Sequence, residues 1–330
     1  MRFIIYGAGG IGCVIGGHLF RAGYEVVLVG NARHVDAINA HGLNLFTGDA
    51  EYTLNIPAVK TAPELSPFRA DDVVMLCAKA QHTVKCLGQL RNAGAPRTLP
   101  ILCAQNSIWN EPTATRVFDN VYGVMIMIPA VFMTPGVVFN PIVRCYGVLE
   151  IGRYPRGTDA LCEMVAEALQ RAGFSSHPHA DVMQPKAAKC LLNLGNALDA
   201  ITDERGDGRA FMDAVRAEAL QVWQAAGIAW EPREAFQARM KEHYGDRRAP
   251  PGHENLTKRS STWQSLARGA GSIEAEQING DVVMLGRQLG IATPHNALLS
   301  RIADEMARAG DAPGKYTTEE LTTMVKQTRE

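Results

Sequence analysis

A glycine-rich turn within the first dozen residues constrains the fold more than any other feature of the chain. The apolar segment Met1–Tyr6 has the pattern of a short buried strand, and a helical pattern starts near Ile11 and ends at Gly23. The turn between them has the sequence Gly7-Ala8-Gly9-Gly10-Ile11-Gly12. A G-x-G-x-x-G motif between a strand and a helix predicts a dinucleotide site, in which the pyrophosphate faces the N–H groups at the helix start. Gly7 then makes the tight turn, Gly9 lets the backbone approach the pyrophosphate, and Gly12 lets the helix pack on the strand.

The end of the second predicted strand indicates which dinucleotide binds. Glu25–Val29 has the pattern of that strand, and Gly30-Asn31-Ala32-Arg33-His34 follows it without an acidic residue. A site for NAD usually has Asp or Glu here, which binds the ribose 2′-hydroxyl. Arg33 can instead pair with a 2′-phosphate through charge-assisted hydrogen bonds. The segment therefore favours NADPH over NADH, and an ordinary solvated surface charge stays open as the alternative for Arg33.

Composition limits the classes of function. A chain of 330 residues is long for a single core and suggests two domains. Its net charge of −1 predicts no broad field for nucleic acid or a membrane surface, and no apolar run reaches the roughly 18 residues of a membrane span. The 7 cysteines are scattered without a C-x-x-C pair, and the chain begins with a core strand rather than a signal peptide. We therefore expect reduced thiols and a cytoplasmic location.

Two polar stretches follow buried strands in the first half of the chain. Asp72–Cys77 and Leu99–Ala104 have strand patterns, and the helical spacers between strands indicate a parallel sheet. Ligands of such sheets bind beyond the carboxyl ends of the strands. Lys79 and Asn106, which lie in the two polar stretches, are therefore candidates for contact with a cofactor or a substrate. The alternative is that each residue simply starts a helix.

The chain changes character near residue 180. Before that point, Leu43–Phe46 and Tyr52–Ile56 indicate a hairpin, and the β-rich stretch 121–151 indicates the far edge of the sheet, partly antiparallel. After that point, the patterns are nearly all helical. We therefore predict a dinucleotide-binding domain over residues 1–180 and a helical substrate domain over residues 181–330.

Three polar residues near this boundary, His177, His179 and Asp181, invite a metal interpretation. No further ligand set accompanies them, so we expect no metal site. The last residues, 314–330, have the pattern of a short, exposed and weakly anchored helix, to which we assign no chemistry. The helical half also leaves a homodimer open.

A polar stripe runs along the first helix of the second half. Pro185 fits the first turn of a helix that extends to about Thr202. Lys189 and Asn193 are four residues apart and Asn196 is three further on, a spacing that puts all three on one helix face. Buried amides need partners because an unpaired amide is costly to bury. The stripe is therefore a candidate site, and a solvent-facing stripe is the alternative.

Several short motifs narrow the class of protein when they are taken together. They are the glycine-rich turn, Lys79, Gln105-Asn106, Lys189-x-x-x-Asn193, Ser260-Ser261, Glu274–Gly280 and Leu289–Pro294. This combination resembles the ketopantoate reductase (2-dehydropantoate 2-reductase) family. The resemblance implies an α/β plus all-α fold, with an N-terminal Rossmann domain, an all-helical C-terminal domain and a cleft between them. It also implies NADPH-dependent reduction of a 2-oxo acid to a 2-hydroxy acid.

The resemblance further implies roles for individual residues. Lys189 matches the catalytic lysine and Glu274 the acid that holds it charged and oriented. Such an ammonium group stabilises the negative charge that develops on the ketone oxygen and can donate the proton. On the cofactor side, Arg33, Lys79 and Asn106 match positions that contact NADPH. The substrate side consists of Asn106, Asn193, Asn196, Lys258 and Ser261.

Departures from the family pattern lie mostly on the substrate side. Founding members have asparagine where this chain has Lys258 and Ala197, and they usually have glycine where it has Ser107. Two alternatives to ketopantoate reduction therefore stay open. One is the same chemistry on another branched or bulkier 2-oxo acid, and the other is a non-catalytic NADPH-binding redox sensor. The intact lysine, asparagine and glutamate set disfavours the sensor, since a sensor needs no proton donor.

Overall fold

The computed structural model describes residues 1–202, 207–243, 246–248 and 259–327. Its contacts divide the chain into two compact units, Met1–Lys186 with Glu231–Thr257 and Ala187–Trp230 with Lys258–Glu330. The described part of the first unit combines strands and helices, and that of the second is helical. This confirms the fold class expected from the sequence.

The strands of the first unit form two sheets. In chain order they are β1 (Arg2–Tyr6), β2 (Glu25–Val29), β3 (Leu43–Thr47), β4 (Glu51–Leu54), β5 (Ala58–Val59), β6 (Asp72–Leu76), β7 (Ile101–Cys103), β8 (Val121–Met127), β9 (Val131–Thr134), β10 (Val137–Asn140), β11 (Val148–Arg153) and β12 (Ser175–Pro178). The larger sheet has the order β12-β11-β8-β7-β6-β1-β2-β5. Its strands are parallel from β5 across to β8, and β11 runs antiparallel to β8. The expected parallel sheet with a partly antiparallel edge is confirmed.

Thirteen α-helices occur in the described residues. In chain order they are α1 (Gly10–Arg21), α2 (Ala32–His41), α3 (Thr83–Asn92), α4 (Asn110–Ala114), α5 (Ala160–Arg171), α6 (Met183–Asn193), α7 (Gly195–Ile201), α8 (Arg209–Ala225), α9 (Arg233–His243), α10 (Ser261–Ala267), α11 (Ala275–Leu289), α12 (Pro294–Ala309) and α13 (Thr318–Gln327). In the second unit, α11 and α12 pack against each other and against α8. None of the helices in the described part of the chain has the length and apolar content needed to span a membrane.

Strand β1 forms the centre of the first unit because both of its faces are apolar. Phe3 and Ile5 pack into the core on one side of the sheet, and Ile4 and Tyr6 pack into the core on the other side. A strand that is covered on both faces has a continuous apolar sequence instead of an alternating one. The continuous apolar segment at the start of the chain, which contains Phe3, Ile4 and Ile5, follows this rule.

Helix α1 lies between the two sheets because small residues on it leave room for both. A Cβ atom added at Gly16 would lie 2.8 Å from a Leu28 methyl group of β2 in the larger sheet. One added at Gly17 would lie 2.8 Å from a Leu45 methyl group of β3 in the smaller sheet. Alanine at either position would therefore force the contacting leucine side chain to move.

The smaller sheet corrects one expectation. It has the order β4-β3-β10-β9, and β3 pairs with β4 as the predicted hairpin. However, β9 and β10 belong to this sheet and not to the edge of the larger one, so that part of the prediction was wrong. Strand β10 pairs in parallel with β3, with Val138 opposite Leu45. A local pattern cannot predict a pairing between strands so far apart in the sequence.

Helix α9 belongs to the first unit, although the predicted boundary near residue 180 assigns it to the helical domain. Arg239 of this helix pairs with Glu150 of β11 and, at 2.5 Å, with Glu231. These contacts attach the helix to the sheet. The boundary between a dinucleotide-binding and a substrate domain stays a prediction.

The single helix predicted over residues 185–202 was wrong, because α6 and α7 are separated at Leu194. The carbonyl oxygen of Leu194 accepts a hydrogen bond from Asn279 Nδ2 of α11 at 3.2 Å. Asn193 consequently ends α6, whereas Asn196 lies on α7. The three polar residues of the stripe are not on one continuous helix face.

The C-terminal helix is also better anchored than its sequence suggests. Within α13, Leu321 and Val325 are 0% and 4% exposed. The helix packs against α12. The prediction of a helix was correct, and the prediction that it is exposed and weakly anchored was wrong.

Candidate active site

The glycine-rich turn has the geometry of a dinucleotide cradle. Gly7 has a φ of 116°, and a Cβ atom added there would lie 2.2 Å from the backbone nitrogen of Ala78. A Cβ atom added at Gly12 would lie 2.3 Å from the Gly7 carbonyl oxygen. Both glycines are therefore required by the protein's own packing. At Gly9, in contrast, nothing lies within 4 Å of an added Cβ atom.

The start of α1 suits an anion. Gly9 occupies the N-cap position without a side-chain cap, and the first turn, which contains Gly10, Ile11 and Gly12, has no acidic residue. The first N–H groups of a helix have no partner within the helix, and the helix dipole favours negative charge there. Open space at Gly9 and uncapped amides beside it fit the pyrophosphate of a dinucleotide. Ala8, also predicted to bind the cofactor, is buried between these glycines and β2.

The segment that carries Arg33 is held by its neighbour His34. The N–H of His34 donates to the Asn31 side chain at 3.0 Å, which caps α2. The His34 ring accepts a hydrogen bond at Nδ1 from the Gly136 N–H at 2.8 Å, so Nε2 carries the proton and donates to Cys13 Sγ at 3.2 Å. Burial lowers the pKa of His34 to about 4. A neutral, fixed histidine therefore ties the start of α2 to α1, and Arg33 is exposed beside it.

The loops that carry Lys79 and Asn106 are joined by side-chain hydrogen bonds. Gln105 Nε2 donates to the Ala78 carbonyl at 2.7 Å and to Thr83 Oγ1 at 2.9 Å. Asn110 Nδ2 donates to the Asn106 carbonyl at 2.7 Å, and Asn110 Oδ1 accepts from Thr83 Oγ1 at 2.8 Å. The two polar stretches thus meet at the carboxyl edge of β6 and β7, as expected for neighbouring parallel strands.

The same edge contains Lys186 and Glu111, which the sequence analysis missed. The Lys186 ammonium lies 2.6 Å from Glu111 Oε1 and donates to the carbonyl oxygens of Cys103 and Gln105 at 2.7 and 3.1 Å. Burial raises the pKa of the Glu111 carboxyl, and the Lys186 charge opposes that effect. The sequence offered one indication of this pair, which is that Lys186 stands in the apolar first half of a predicted helix. Its partner Glu111 lies 75 residues away in the sequence, so the pairing itself could not be predicted.

In the second unit, the polar residues are distributed over several helix starts and ends. Lys189 is half-buried on α6, and Asn193 is buried, so the solvent-facing alternative fails at Asn193. Glu274 is half-buried and occupies the N-cap position of α11. Ser261 begins α10 and is exposed. Lys258 lies outside the described residues.

Ser260 brings two parts of the predicted substrate side together. Its hydroxyl caps α10 by accepting a hydrogen bond from the Trp263 N–H at 3.1 Å, and it donates one to the Asn196 carbonyl at 3.2 Å. Its own N–H donates to Asp199 Oδ2 at 2.9 Å. The turn before Ser261 is therefore tied to α7, on which Asn196 lies.

A hydrogen-bond chain that the sequence did not indicate supports the break between α6 and α7. Asn279 Nδ2 donates to the Leu194 carbonyl and, at 3.0 Å, to Asn296 Oδ1. Asn296 Nδ2 donates in turn to Glu218 Oε2 at 2.8 Å. Burial raises the pKa of Glu218, but hydrogen bonds from His295 and Asn296 outweigh burial and hold that pKa below its usual value.

Metal-ligating and nucleophilic side chains are dispersed through the described part of the chain. No group of three or more His, Cys, Asp and Glu side chains there could hold a metal ion. None of the seven cysteines forms a disulfide. Burial raises the pKa of Cys77 to about 12 and that of Cys86 to about 11, which keeps both thiols protonated at neutral pH.

The first unit has the sheet order and the glycine turn of a Rossmann-type dinucleotide-binding fold, and helices follow it. Fold and cradle define a dinucleotide-binding protein with a second, helical unit. The family model described as "Ketopantoate reductase PanE/ApbA" matches residues 3–156, and the model described as "Ketopantoate reductase PanE/ApbA C terminal" matches residues 181–307. The chain belongs to the ketopantoate reductase family, which confirms the resemblance seen in its motifs.

Individual relatives agree with this assignment along their full length. The 2-dehydropantoate 2-reductase of Pyrococcus horikoshii is 29% identical over 309 residues, which cover 91% of this chain and 95% of that protein. The 2-dehydropantoate 2-reductase of Halobacterium salinarum is 27% identical, with 89% and 95% covered.

Solved structures agree as well. A PanE/ApbA family ketopantoate reductase from Ralstonia eutropha JMP134 has a TM-score of 0.76 at 27% identity, with 94% of this chain and 99% of that chain covered. D-mandelate dehydrogenase, solved with NADH and anilino(oxo)acetate, also has a TM-score of 0.76. Its identity is 22%, with 94% and 99% covered, so this likeness shows the fold alone.

Proposed function

We propose that this protein reduces the ketone of a 2-oxo acid to a 2-hydroxy acid with NADPH, and that the substrate is ketopantoate (2-dehydropantoate). The observation that carries the proposal is the match of both family models, over residues 3–156 and 181–307. The relatives named above bear this activity in their names at 27–29% identity.

NADPH fits the cradle for three reasons. The turn is open at Gly9, the start of α1 has no competing acid, and the segment after β2 has no acid for a ribose 2′-hydroxyl. Arg33 is exposed in the first turn of α2, which suits a 2′-phosphate. We assign Gly7–Gly12, Arg33, Lys79 and Asn106 to cofactor binding. When bound, NADPH supplies the hydride that adds to the ketone carbon.

The proton and the orientation of the substrate come from the chain itself. Lys189 carries an ammonium group that stabilises the charge developing on the ketone oxygen and then donates its proton there, after which solvent reprotonates the amine. Glu274 keeps that lysine charged. Asn106, Asn193 and Asn196 orient the ketone and hydroxyl groups. Ser261, together with Lys258, binds the substrate carboxylate.

One observation favours a second substrate. Ala197, where founding members have asparagine, is buried and apolar. The loss of that amide removes a polar group from this position, which fits a different branched or bulkier 2-oxo acid. A non-catalytic redox sensor is the third hypothesis. A cytoplasmic location and a homodimer stay predictions.

The test is oxidation of NADPH, followed by its absorbance, with ketopantoate as the only added substrate. Comparison of kcat/KM across a panel of 2-oxo acids then decides the substrate. We expect the highest kcat/KM for ketopantoate. A higher value for a bulkier 2-oxo acid would favour the second substrate class, and NADPH binding without oxidation on any 2-oxo acid would favour the sensor.

A further inference from the structure

We propose that Lys186 and Glu111 form a buried positioning pair that holds the backbone around Asn106 in the geometry needed for reduction. The inference rests on the proposed function, because it takes Asn106 as a residue that contacts cofactor and substrate. Neither Lys186 nor Glu111 belongs to the motifs that carry the family resemblance.

The pair is buried to a degree that charged side chains rarely reach. Lys186 is 3% exposed and Glu111 is 0% exposed. A buried charge is tolerated only when it is paired and hydrogen-bonded. The Lys186 ammonium contacts three oxygen atoms, those of Glu111 Oε1, the Cys103 carbonyl and the Gln105 carbonyl. Two of these contacts are hydrogen bonds to backbone carbonyls, and the third is an ion pair with the carboxylate.

Glu111 depends on Lys186 in return. Its Oε2 atom accepts no hydrogen bond from any described residue. Burial raises the pKa of this carboxyl, and the charge of the nearby ammonium opposes that effect. A pair that served only to stabilise the fold would be replaceable by apolar side chains, because such replacements are often neutral or stabilising.

The contacts of Lys186 show what the pair positions. Lys186 binds the carbonyl of Cys103, the last residue of β7, and the carbonyl of Gln105, two residues later. Asn106 follows Gln105 directly in the chain. Asn110 binds the Asn106 carbonyl from the other side. Ser107 then has a φ of 76°, an unusual conformation for a residue other than glycine. The backbone on both sides of Asn106 is therefore held, and this determines where the Asn106 side chain points.

The sheet provides a matched control pair. Arg2 and Asp72 are opposite each other at the first residues of β1 and β6, with Arg2 Nε 2.6 Å from Asp72 Oδ1. This ion pair is also largely buried, with side chains 12% and 0% exposed, but it lies at the amino ends of the strands. Replacing it perturbs the same sheet at the edge away from Asn106.

The experiment compares the apolar double variants Lys186→Met/Glu111→Leu and Arg2→Met/Asp72→Leu with the wild type. For each protein, kcat, KM, the Kd for NADPH from fluorescence titration and the urea midpoint are measured. We expect the Lys186/Glu111 variant to fold and to bind NADPH about tenfold more weakly, with kcat about 100-fold lower, since a small misplacement of a positioning group costs this much. The control variant should keep kcat within twofold. A folded Lys186/Glu111 variant with wild-type kcat and Kd would overturn the proposal.

A second variant covers the case in which the apolar pair does not fold. Lys186→Arg keeps the charge beside Glu111, but its larger planar head group displaces the two carbonyls. We expect it to fold and to lose at least about tenfold in kcat, and unchanged kcat would contradict the positioning role. If the wild type oxidises no NADPH with any 2-oxo acid, the proposed function fails by itself. The NADPH titrations of the same variants then test the positioning role of the Lys186–Glu111 pair. Weaker NADPH binding in the Lys186 and Glu111 variants, but not in the Arg2/Asp72 control, supports that role.

Discussion

Gly9→Ala tests whether the glycine-rich turn holds the cofactor, because the packing of the protein itself does not require glycine at this position. Its backbone has φ −102° and ψ −162°, which alanine adopts readily, and nothing lies within 4 Å of an added Cβ atom. Gly9→Ala should therefore leave the free energy of unfolding unchanged or raise it by up to about 1 kcal/mol, because alanine reduces the entropy of the unfolded chain. In the dinucleotide complex, however, the added methyl group would occupy the space through which the pyrophosphate approaches the backbone.

The size of the effect on binding follows from the contacts at stake. A hydrogen bond to a charged group contributes about 1.5–3 kcal/mol, and each 1.4 kcal/mol changes Kd about tenfold. Loss of one phosphate contact should therefore raise the Kd for NADPH about 10- to 100-fold. Fluorescence titration measures Kd, and urea unfolding measures stability on the same sample.

Gly12→Ala is the matched control. Its added Cβ atom would lie 2.3 Å from the Gly7 carbonyl oxygen and 3.0 Å from an Ile5 methyl group, so the backbone must move. We expect it to lower the free energy of unfolding by about 1–3 kcal/mol, the usual cost of overpacking. A Gly9→Ala variant that binds NADPH like the wild type, or that is destabilised as much as Gly12→Ala, would contradict the assignment of Gly9 to the cofactor site.

Three further predictions concern single side chains. Lys189→Ala should lower turnover about 100-fold or more, because the variant lacks the general acid. Its Kd for NADPH should stay near that of the wild type. Loss of NADPH binding with turnover spared would reject the catalytic role of Lys189. Arg33→Ala should raise the KM for NADPH far more than the KM for NADH, and equal effects on both would reject a phosphate contact. The folded-state pKa of His34, about 4, lies below the usual value of about 6.5. The stability that the neutral ring contributes is therefore complete above pH of about 6.5 and falls by about 1.4 kcal/mol per pH unit as the pH drops toward 4. Urea unfolding of wild type and His34→Gln checks this, since the variant should have a shallower pH dependence between these limits, and parallel curves would contradict the assignment.

The conformation of the predicted cofactor side follows from local determinants in the sequence. Gly7 and Gly12 are required by a turn of six residues. The carboxyl-edge positions of Lys79 and Asn106 follow from the rule that parallel strands end at the same edge. The order of these motifs also made the family recognisable.

The substrate side was less predictable because its determinants are distant. The helix after Pro185 has a continuous helical pattern, yet its Leu194 carbonyl binds the side chain of Asn279, 85 residues away. Asn196 was therefore expected on the wrong helix face. The burial of Leu321 likewise depends on packing against other helices.

By itself, the sequence determined the strand–turn–helix that begins the chain, the alternation of strands and helices, and the family. These depend on backbone conformation and side-chain periodicity, which act over a few residues. Only the tertiary structure decided that Lys186 meets Glu111, that β10 pairs with β3 and that α9 packs on the larger sheet. Those contacts join residues that are far apart in the sequence and meet only in the folded chain. A pattern of neighbouring residues therefore does not predict them.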